Sequence, residues 1–220
     1  MASIFCDGAC SGNGTAHAYG GWAWAYWPGL AYGEPKAFAA KKLAAGPGFH
    51  ATNQRAELMA LLEAIRFGLT SQGPVTIYTD STYALKCASV WGPAWKKKGW
   101  KRDSGEPLQN LDIIKPLVDL WNPKVPLVHV RGHQTGCGPL AQGNNWVDRA
   151  AVAAAKGDSI QSGDIIEHIV DTVQHKPVQQ QQQKPQQPQP KSLPKTEQKK
   201  PIITATDVKQ TDIRLWFAPV

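Results

Sequence analysis

Hydrophobic and polar positions alternate along the first 156 residues in patterns that predict both strands and helices. Short runs rich in β-branched, aromatic and small apolar residues predict strands at residues 3–6, 20–27, 36–43, 75–79 and 125–130. Apolar residues at three- and four-residue intervals predict helices at residues 52–69 and 108–121. Further helices are predicted at residues 81–89, 91–98 and 145–156. This order of elements indicates an α/β fold.

The pattern changes after residue 157, which we take as the end of a globular domain, residues 1–157. Residues 158–175 carry spaced apolar positions and form a possible extra amphipathic helix, expected to pack on the domain; the alternative is that it binds another molecule. Residues 176–205 are dominated by Gln, Pro and Lys, which predicts a disordered linker because such a composition cannot bury enough apolar surface. Residues 206–220 become apolar again.

Charge and cysteine content narrow the functional classes. The net charge is +7, and residues 1–155 hold 15 Lys and Arg against 10 Asp and Glu. A basic body suits a polyanionic partner, although charge alone would also fit any soluble basic protein. The four cysteines form no CxxC pair, which argues against a disulfide framework or a zinc site. Without a signal-like N-terminus or a run of 18 apolar residues, we expect a soluble intracellular protein, in the cytoplasm or nucleoid, or in the nucleus of a eukaryote.

Four carboxylates occupy the ends or first turns of predicted elements. Asp7 and Asp80 each follow a predicted strand, Glu57 lies on the first helix, and Asp148 lies in the first turn of the last predicted helix. Ligands of α/β sheets gather at the carboxyl ends of strands. Carboxylates that converge there could hold two Mg²⁺ ions for phosphodiester cleavage. Taken singly, each acid could equally be a surface charge or a helix cap.

The sequences around these acids resolve that ambiguity. The segments DGACSGN from Asp7, TNQRAEL from Thr52, YTDSTY from Tyr78, and VRGH followed by NNWVD up to Asp148 occur in this order. Together they resemble the four signature blocks of type 1 ribonuclease H, over residues 3 to about 156. The resemblance implies a ribonuclease H-like fold, in which helices flank a five-stranded mixed sheet, in a domain that acts as a monomer.

The same resemblance implies roles for individual residues. Asp7, Glu57, Asp80 and Asp148 would bind two Mg²⁺ ions, with Mn²⁺ as a possible substitute. His133 would position water or help product release, a role that suits an imidazole near neutral pH. Two departures from the family pattern stand out. His50 replaces an arginine of the DNA phosphate pocket, and the stretch from His133 to Asp148 is longer than usual, with Gly-rich extra residues that we expect to be mobile.

Recognition of an RNA–DNA hybrid requires a separate surface for each strand. By resemblance, the RNA strand would contact Cys10, Asn13, Asn53 and Gln54, whose alternative roles are turn and cap chemistry. The DNA strand would contact Thr52, Tyr83, Trp91, Trp95, Lys96, Lys97, Lys98, Trp100 and Asn110. Lysines would neutralise phosphates, and indoles would stack on sugars. The three tryptophans could instead be partly core, and we expect at least one to be mostly buried.

The C-terminal segment carries a second resemblance. Gln210, Ile213, Trp216 and Phe217 have the spacing of the peptide that binds trimeric sliding clamps. The alternative is an apolar tail that packs back on the domain.

These features predict an endonuclease that cuts the RNA strand of RNA–DNA hybrids by a two-metal-ion mechanism, leaving 5′-phosphate and 3′-hydroxyl ends. Its expected role is removal of primers or R-loops while tethered to a clamp. The alternatives are a non-catalytic adapter that binds hybrids and a clamp, and another nuclease or a transposase of the same fold.

Overall fold

A computed structural model describes residues 1–44, 50–102, 104–158 and 160. The strands are β1 (Ala2–Ser11), β2 (Tyr19–Trp27), β3 (Ala37–Lys42), β4 (Val75–Thr79) and β5 (Leu127–His129). The helices are α1 (Asn53–Thr70), α2 (Thr82–Lys86), α3 (Gly92–Lys97), α4 (Leu111–Leu120) and α5 (Pro139–Lys156), and one π-helical turn, Cys87–Trp91, joins α2 to α3. The strands form one sheet in the order β3-β2-β1-β4-β5, which confirms the predicted five-stranded mixed sheet.

The central strand β1 pairs differently on its two sides. It runs parallel to β4 only from Ala2 to Phe5, but antiparallel to β2 from Ser3 to Ser11. The prediction that the first strand ends at Asp7 is therefore wrong, because β2 continues to supply hydrogen bonds beyond that point. Asp7 instead lies two residues past the end of the parallel ladder. Beside Asp7 the strand β4 is near its end, so side chains from several elements can reach one another.

The two faces of the sheet carry separate hydrophobic cores. One face packs on α1, α2 and α4, and its core includes Ile4, Leu58, Leu61, Ile65, Ile77, Ile113, Ile114 and Leu117. The other face is covered by α5, and its core includes Phe5, Ala23, Ala25, Trp27, Trp146, Val147, Ala150 and Ala151. Successive residues of a strand point to opposite faces. Ile4 and Phe5 therefore contribute to different cores, and the sheet is held rigidly between two helical layers.

The last helix begins earlier than the sequence pattern predicts. α5 starts at Pro139 rather than residue 145, because proline is well suited to the first position of a helix and Gly138 provides the extended backbone before it. Asp148 accordingly lies in the third turn of α5, and the prediction of the first turn is wrong. Part of the Gly-rich stretch expected to be mobile is thus helical. Two other elements, α4 and β5, are shorter than predicted.

The predicted features beyond residue 160 lie outside the described residues. They comprise most of the possible amphipathic helix at residues 158–175, the linker at 176–205 and the apolar segment at 206–220. Of the residues that follow α5, Ile160 packs against the core on the α5 face. Among the helices that the structure describes, none is long and apolar enough to cross a membrane.

Candidate active site

Three carboxylates meet at the carboxyl edge of the central strands. Asp7 comes from β1, Glu57 from α1, and Asp80 from the residue after β4, and one ligand oxygen of each lies within 4.8 Å of the others. Asp7 is buried, with only 5% of its surface exposed. Its Oδ1 accepts a hydrogen bond of 2.7 Å from the backbone N–H of Gly8, which fixes the orientation of the carboxylate.

Gly8 allows β1 and α1 to approach closely enough for this cluster to form. A Cβ atom at Gly8 would lie 2.2 Å from the backbone nitrogen of Glu57 and 2.3 Å from the carbonyl carbon of Ala56. No side chain fits between these two backbones. The absence of one at Gly8 therefore brings the start of α1, and Glu57 with it, beside Asp7.

Asp148 and His133 lie next to the three acids. The charge of Asp148 contributes to raising the pKa of both Asp7 and Glu57, so Asp148 lies close enough to interact with the cluster. The Nδ1 atom of His133 lies 4.0 Å from Oδ2 of Asp148, and 85% of the His133 side chain is exposed. His133 has a positive φ of 49°, which few non-glycine residues adopt. The longer loop thus still brings His133 to the fourth acid, on the open side of the site.

The crowding of negative charge changes the acidity of these groups. Burial, followed by repulsion from Glu57, Asp80 and Asp148, raises the pKa of Asp7 well above its usual range. Burial and the nearby Asp80 charge raise the pKa of Glu57 to about 8. Burial also raises the pKa of Asp148, partly offset by attraction to His133. A cation would remove this repulsion, so the cluster is suited to binding positive charge.

The atoms of the cluster also fit a hard divalent cation. Oε2 of Glu57 is buried, yet no described residue donates a well-formed hydrogen bond to it. A buried carboxylate oxygen without a donor is costly unless it has another electropositive partner. All the converging ligand atoms are carboxylate oxygens, the type that Mg²⁺ and Mn²⁺ prefer. Asp7, Glu57, Asp80 and Asp148 are therefore the residues that could hold such ions.

Two residues that contact Asp80, Asn144 and His129, were not predicted from the sequence. The Nδ2 group of Asn144, on α5, donates a hydrogen bond of 3.2 Å to Oδ2 of Asp80. The ring Nε2 of His129 lies 3.1 Å from the main-chain oxygen of Asp80. The spacing of Asn144 and Asp148, four residues apart on one helix, is a sequence signal that could have revealed Asn144.

Three of the residues predicted to contact RNA, Asn13, Asn53 and Gln54, lie at the N-terminus of α1. Thr52 caps the helix by accepting a hydrogen bond of 3.2 Å from the N–H of Arg55, and Oδ1 of Asn13 accepts another of 3.2 Å from the N–H of Asn53. The Asn53 side chain lies 3.5 Å from Oε1 of Glu57. Asn13 and Asn53 thus have structural contacts of their own beside the acids. Gln54 is exposed and Cys10 is half-buried.

Four of the residues predicted to contact DNA, Asn110, Tyr83, Trp91 and Trp95, form a chain of contacts that begins at Arg55 on α1. Nη1 of Arg55 donates to Oδ1 of Asn110 at 3.3 Å, and Nδ2 of Asn110 donates to the Tyr83 hydroxyl at 3.4 Å. The ring of Tyr83 then contacts Trp91 at 6.2 Å between centroids, and Trp91 lies 6.1 Å from Trp95. Arg55 was not predicted, and it also forms a forked ion pair with Asp112.

Cations line this aromatic surface. Lys86 lies 5.4 Å above the Trp91 ring, and Lys115 lies 5.6 Å from the Trp100 ring. Lys96, Lys97 and Lys98 are exposed on α3 and just after it. Of these, Lys96 is paired with Asp119 at 2.6 Å.

The three tryptophans lie between the core and solvent. Trp91 is 37% exposed, whereas Trp95 and Trp100 are mostly buried and pack against the core. The expectation that at least one of them is mostly buried is therefore met. Their shared position, between core and solvent, leaves ring surface available to a ligand. His50, which we expect to take the place of an arginine in the DNA phosphate pocket, is exposed.

Comparison with known proteins identifies the family to which the sequence is similar. The sequence model of the RNase H family matches residues 1–156. Ribonuclease H of Cyanothece sp. is 35% identical over 158 residues, which cover 71% of this chain and 90% of that protein. Ribonuclease H of Novosphingobium aromaticivorans is 40% identical over 131 residues, which cover 59% of this chain and 82% of the relative.

Solved structures agree on the fold. The RNase H domain of PFV aligns with a TM-score of 0.58 at 22% identity, over 72% of this chain and 96% of that domain. LC9-RNase H1, described as a type 1 RNase H with the type 2 active-site motif, aligns with a TM-score of 0.57 at 24% identity, over 78% of this chain and 84% of its own. The family match and the sequence relatives go further than the fold. The chain belongs to the ribonuclease H family, and it is an enzyme of that class.

Proposed function

We propose that the enzyme hydrolyses the RNA strand of RNA–DNA hybrids with two divalent cations, Mg²⁺ or Mn²⁺, held by Asp7, Glu57, Asp80 and Asp148. The observation that carries this proposal is the convergence of three acids from separate elements, with their ligand oxygens within 4.8 Å, on a family member whose fourth acid is adjacent. Four neighbouring carboxylates do not stabilise the fold by themselves, because their like charges repel when they are ionised. Their proximity is explained by ions that they bind together.

The protein's own contribution to cleavage is geometric and electrostatic. The bound ions would activate a water molecule and stabilise the leaving oxygen, which is the chemistry that paired cations supply. The acids fix the places of the ions, and the hydrogen bond from Gly8 orients Asp7. His133, which is exposed and lies 4.0 Å from Asp148, would position water or help product release at the edge of the site. The expected products carry 5′-phosphate and 3′-hydroxyl ends.

Selection of a hybrid rests on two surfaces that start at α1. Asn53 lies beside Glu57, and Asn13 accepts a hydrogen bond from the backbone of Asn53. Together with Gln54 and Cys10, these residues would meet the 2′-hydroxyls of the RNA strand, which both donate and accept. The chain of contacts from Arg55 through Asn110, Tyr83 and Trp91 to Trp95 would offer aromatic faces and cations to the backbone of the DNA strand. Only a duplex with one strand of each kind would satisfy both surfaces.

A cleavage assay tests this function. Labelled RNA–DNA hybrid, double-stranded RNA and double-stranded DNA are incubated with Mg²⁺ and wild-type, Asp7→Asn or Glu63→Gln enzyme. Glu63 is the matched control because it is an acid on α1 that pairs with Arg66, outside the cluster. We expect cleavage of the hybrid alone, abolished by Asp7→Asn and retained by Glu63→Gln. Equal cleavage of DNA duplexes, or full activity of Asp7→Asn, would contradict the mechanism.

The same assay addresses the alternative function. A non-catalytic adapter would bind the hybrid but leave it intact in the presence of Mg²⁺ and Mn²⁺. The convergence of the acids favours the enzyme, because binding to nucleic acid alone is not helped by concentrated negative charge.

We further propose that residues 206–220 bind a trimeric sliding clamp, through Gln210, Ile213, Trp216 and Phe217, during removal of primers or R-loops. The support is the spacing of these residues, which lie outside the described part of the structure. Titration of the full-length protein against a clamp is expected to show binding that Trp216→Ala with Phe217→Ala removes. Undiminished binding by that double variant would refute the proposal.

A further inference from the structure

Asn144 is buried at the point where α5 meets the metal-binding edge of the sheet. Only 1% of its surface is exposed, and its Nδ2 group donates to Oδ2 of Asp80 at 3.2 Å. An ionised carboxylate can only accept hydrogen bonds, so the amide must present its NH₂ group to Asp80. The contact is therefore a directed bond from α5 to the carboxylate that follows β4, across the sheet edge.

The side-chain carbonyl of Asn144 indicates that this residue does not serve the stability of the fold. No described residue donates a hydrogen bond to Oδ1 of Asn144, although that oxygen is buried. An unpaired buried carbonyl destabilises a fold, and an apolar side chain of the same size would avoid that cost. The bond to Asp80 must therefore serve something other than packing.

Asp80 is constrained from a second direction. A Cβ atom at Gly132 would lie 2.4 Å from Oδ2 of Asp80, so the loop that carries His133 passes directly against this oxygen. Asn144 and Gly132 thus both engage Oδ2. A carboxylate group rotates as a unit, and fixing one oxygen also fixes the direction of the other.

We propose that Asn144 is a positioning residue, which holds the Asp80 carboxylate in the orientation that binds the metal ion. The proposal rests on the proposed function, since it concerns the ligand set described there. Asn144 lies one helical turn before Asp148 on α5, so the same helix supplies one ligand and orients another. Groups that orient metal ligands commonly change metal affinity by about 10- to 100-fold when they are removed.

Metal affinity, measured by calorimetry on the metal-free protein with Mn²⁺ and Mg²⁺, tests this role without relying on catalysis. Asn144→Ala removes the donor, and Asn144→Leu removes it while preserving the volume of the side chain. We expect both variants to bind the ions about 10- to 100-fold more weakly. Hybrid cleavage by both should recover as the metal concentration is raised.

Two controls separate positioning from general damage. Asn145→Ala changes the neighbouring amide, which donates to the carbonyl of Gln134 and does not contact Asp80. Ile114→Val weakens the core on the opposite face of the sheet. We expect wild-type metal affinity in both controls.

Several results would overturn the proposal. They are unchanged metal affinity in the two Asn144 variants, an equal loss in Asn145→Ala, and failure of both Asn144 variants to fold while Asn145→Ala folds, which would make Asn144 a structural residue. If the wild-type protein binds the ions no better than Asp7→Asn, the proposed function fails together with this inference. If only the Asn144 variants behave as wild type, the inference alone fails.

Discussion

The backbone of Gly8 lies against that of Glu57 so closely that a Cβ at position 8 would approach the Glu57 nitrogen to 2.2 Å. The absence of a side chain at Gly8 therefore lets Asp7 on β1 and Glu57 on α1, both candidate metal ligands, lie next to each other. We predict that Gly8→Ala forces α1 away from β1. Overpacking of this kind destabilises a protein by about 1–3 kcal/mol, and displacement of Glu57 should also reduce cleavage strongly.

The test of Gly8→Ala combines urea unfolding with hybrid cleavage at saturating Mg²⁺. Gly29→Ala is the control, because a Cβ there meets no atom within 4 Å. A Gly8→Ala enzyme with wild-type stability and rate would show that the close approach is not required.

The raised pKa of Glu57 predicts how stability depends on pH. With a pKa of about 8 in the folded protein against 4.5 in the unfolded chain, Glu57 binds more protons when folded between those pH values. The metal-free protein therefore loses stability as pH rises from 4.5 to 8, and this loss is absent below 4.5. Glu57→Gln cannot titrate, so it should gain on the wild type as pH rises, by about 1 kcal/mol or more at pH 8.

Unfolding of metal-free wild-type and Glu57→Gln proteins at pH 5 and pH 8 measures this difference. Glu63→Gln, on the same helix but outside the cluster, is the control for the substitution itself. A Glu57→Gln protein whose advantage shrinks at higher pH would contradict the sign of the effect.

The stabilising effect of bound metal ions should also depend on pH. Cations bind the ionised acids, so they compete with protons for the cluster. We predict that lowering the pH by about one unit below neutrality raises the Mg²⁺ concentration needed for the same rise in melting temperature by about 10-fold. Chelation should lower the melting temperature of the wild type but not that of Asp7→Asn. A pH-independent Mg²⁺ effect would argue against binding at the acids.

The ion pair between Lys96 and Asp119 predicts a measurable effect of salt. Their 2.6 Å contact occupies a cation that the hybrid would otherwise engage. We predict that Lys97→Ala lowers the slope of log affinity against log salt by about 1, because one phosphate contact is lost. Asp119→Asn should instead strengthen hybrid binding at low salt, since Lys96 no longer has a competing partner. Lys124→Ala, before β5, is the control and should leave the slope unchanged.

Much of the fold was predictable because its strands and helices have clear hydrophobic periodicity. The helix at α1 and the strand at β4 have nearly the predicted bounds, and their acids, Glu57 and Asp80, lie where expected. The end of β1 was not predictable from its own residues. It depends on pairing with β2, which continues after the parallel partner has ended, and such tertiary support is not written in the local pattern.

The start of α5 was missed for a different reason. Gly143 and the polar residues near it weaken the helical pattern, but a Cβ at Gly143 would meet the Phe5 ring at 2.5 Å. The glycine is thus required by packing against the sheet rather than by a turn. For the same reason Asn144, which faces Asp80, looked like a loop residue. Site residues that act through neighbours are found from contacts, whereas the four acids were found from their flanking sequence.

The dependence of the site on α5 has a consequence for synthesis of the protein. β1, α1 and β4, which carry the first three acids, are complete by residue 80, whereas α5 ends at Lys156. Until that helix has left the ribosome, one face of the sheet is uncovered, and both Asp148 and the Asn144 contact to Asp80 are missing. An unfinished chain would therefore lack two parts of the proposed metal site, and nuclease activity is expected only after α5 has been translated.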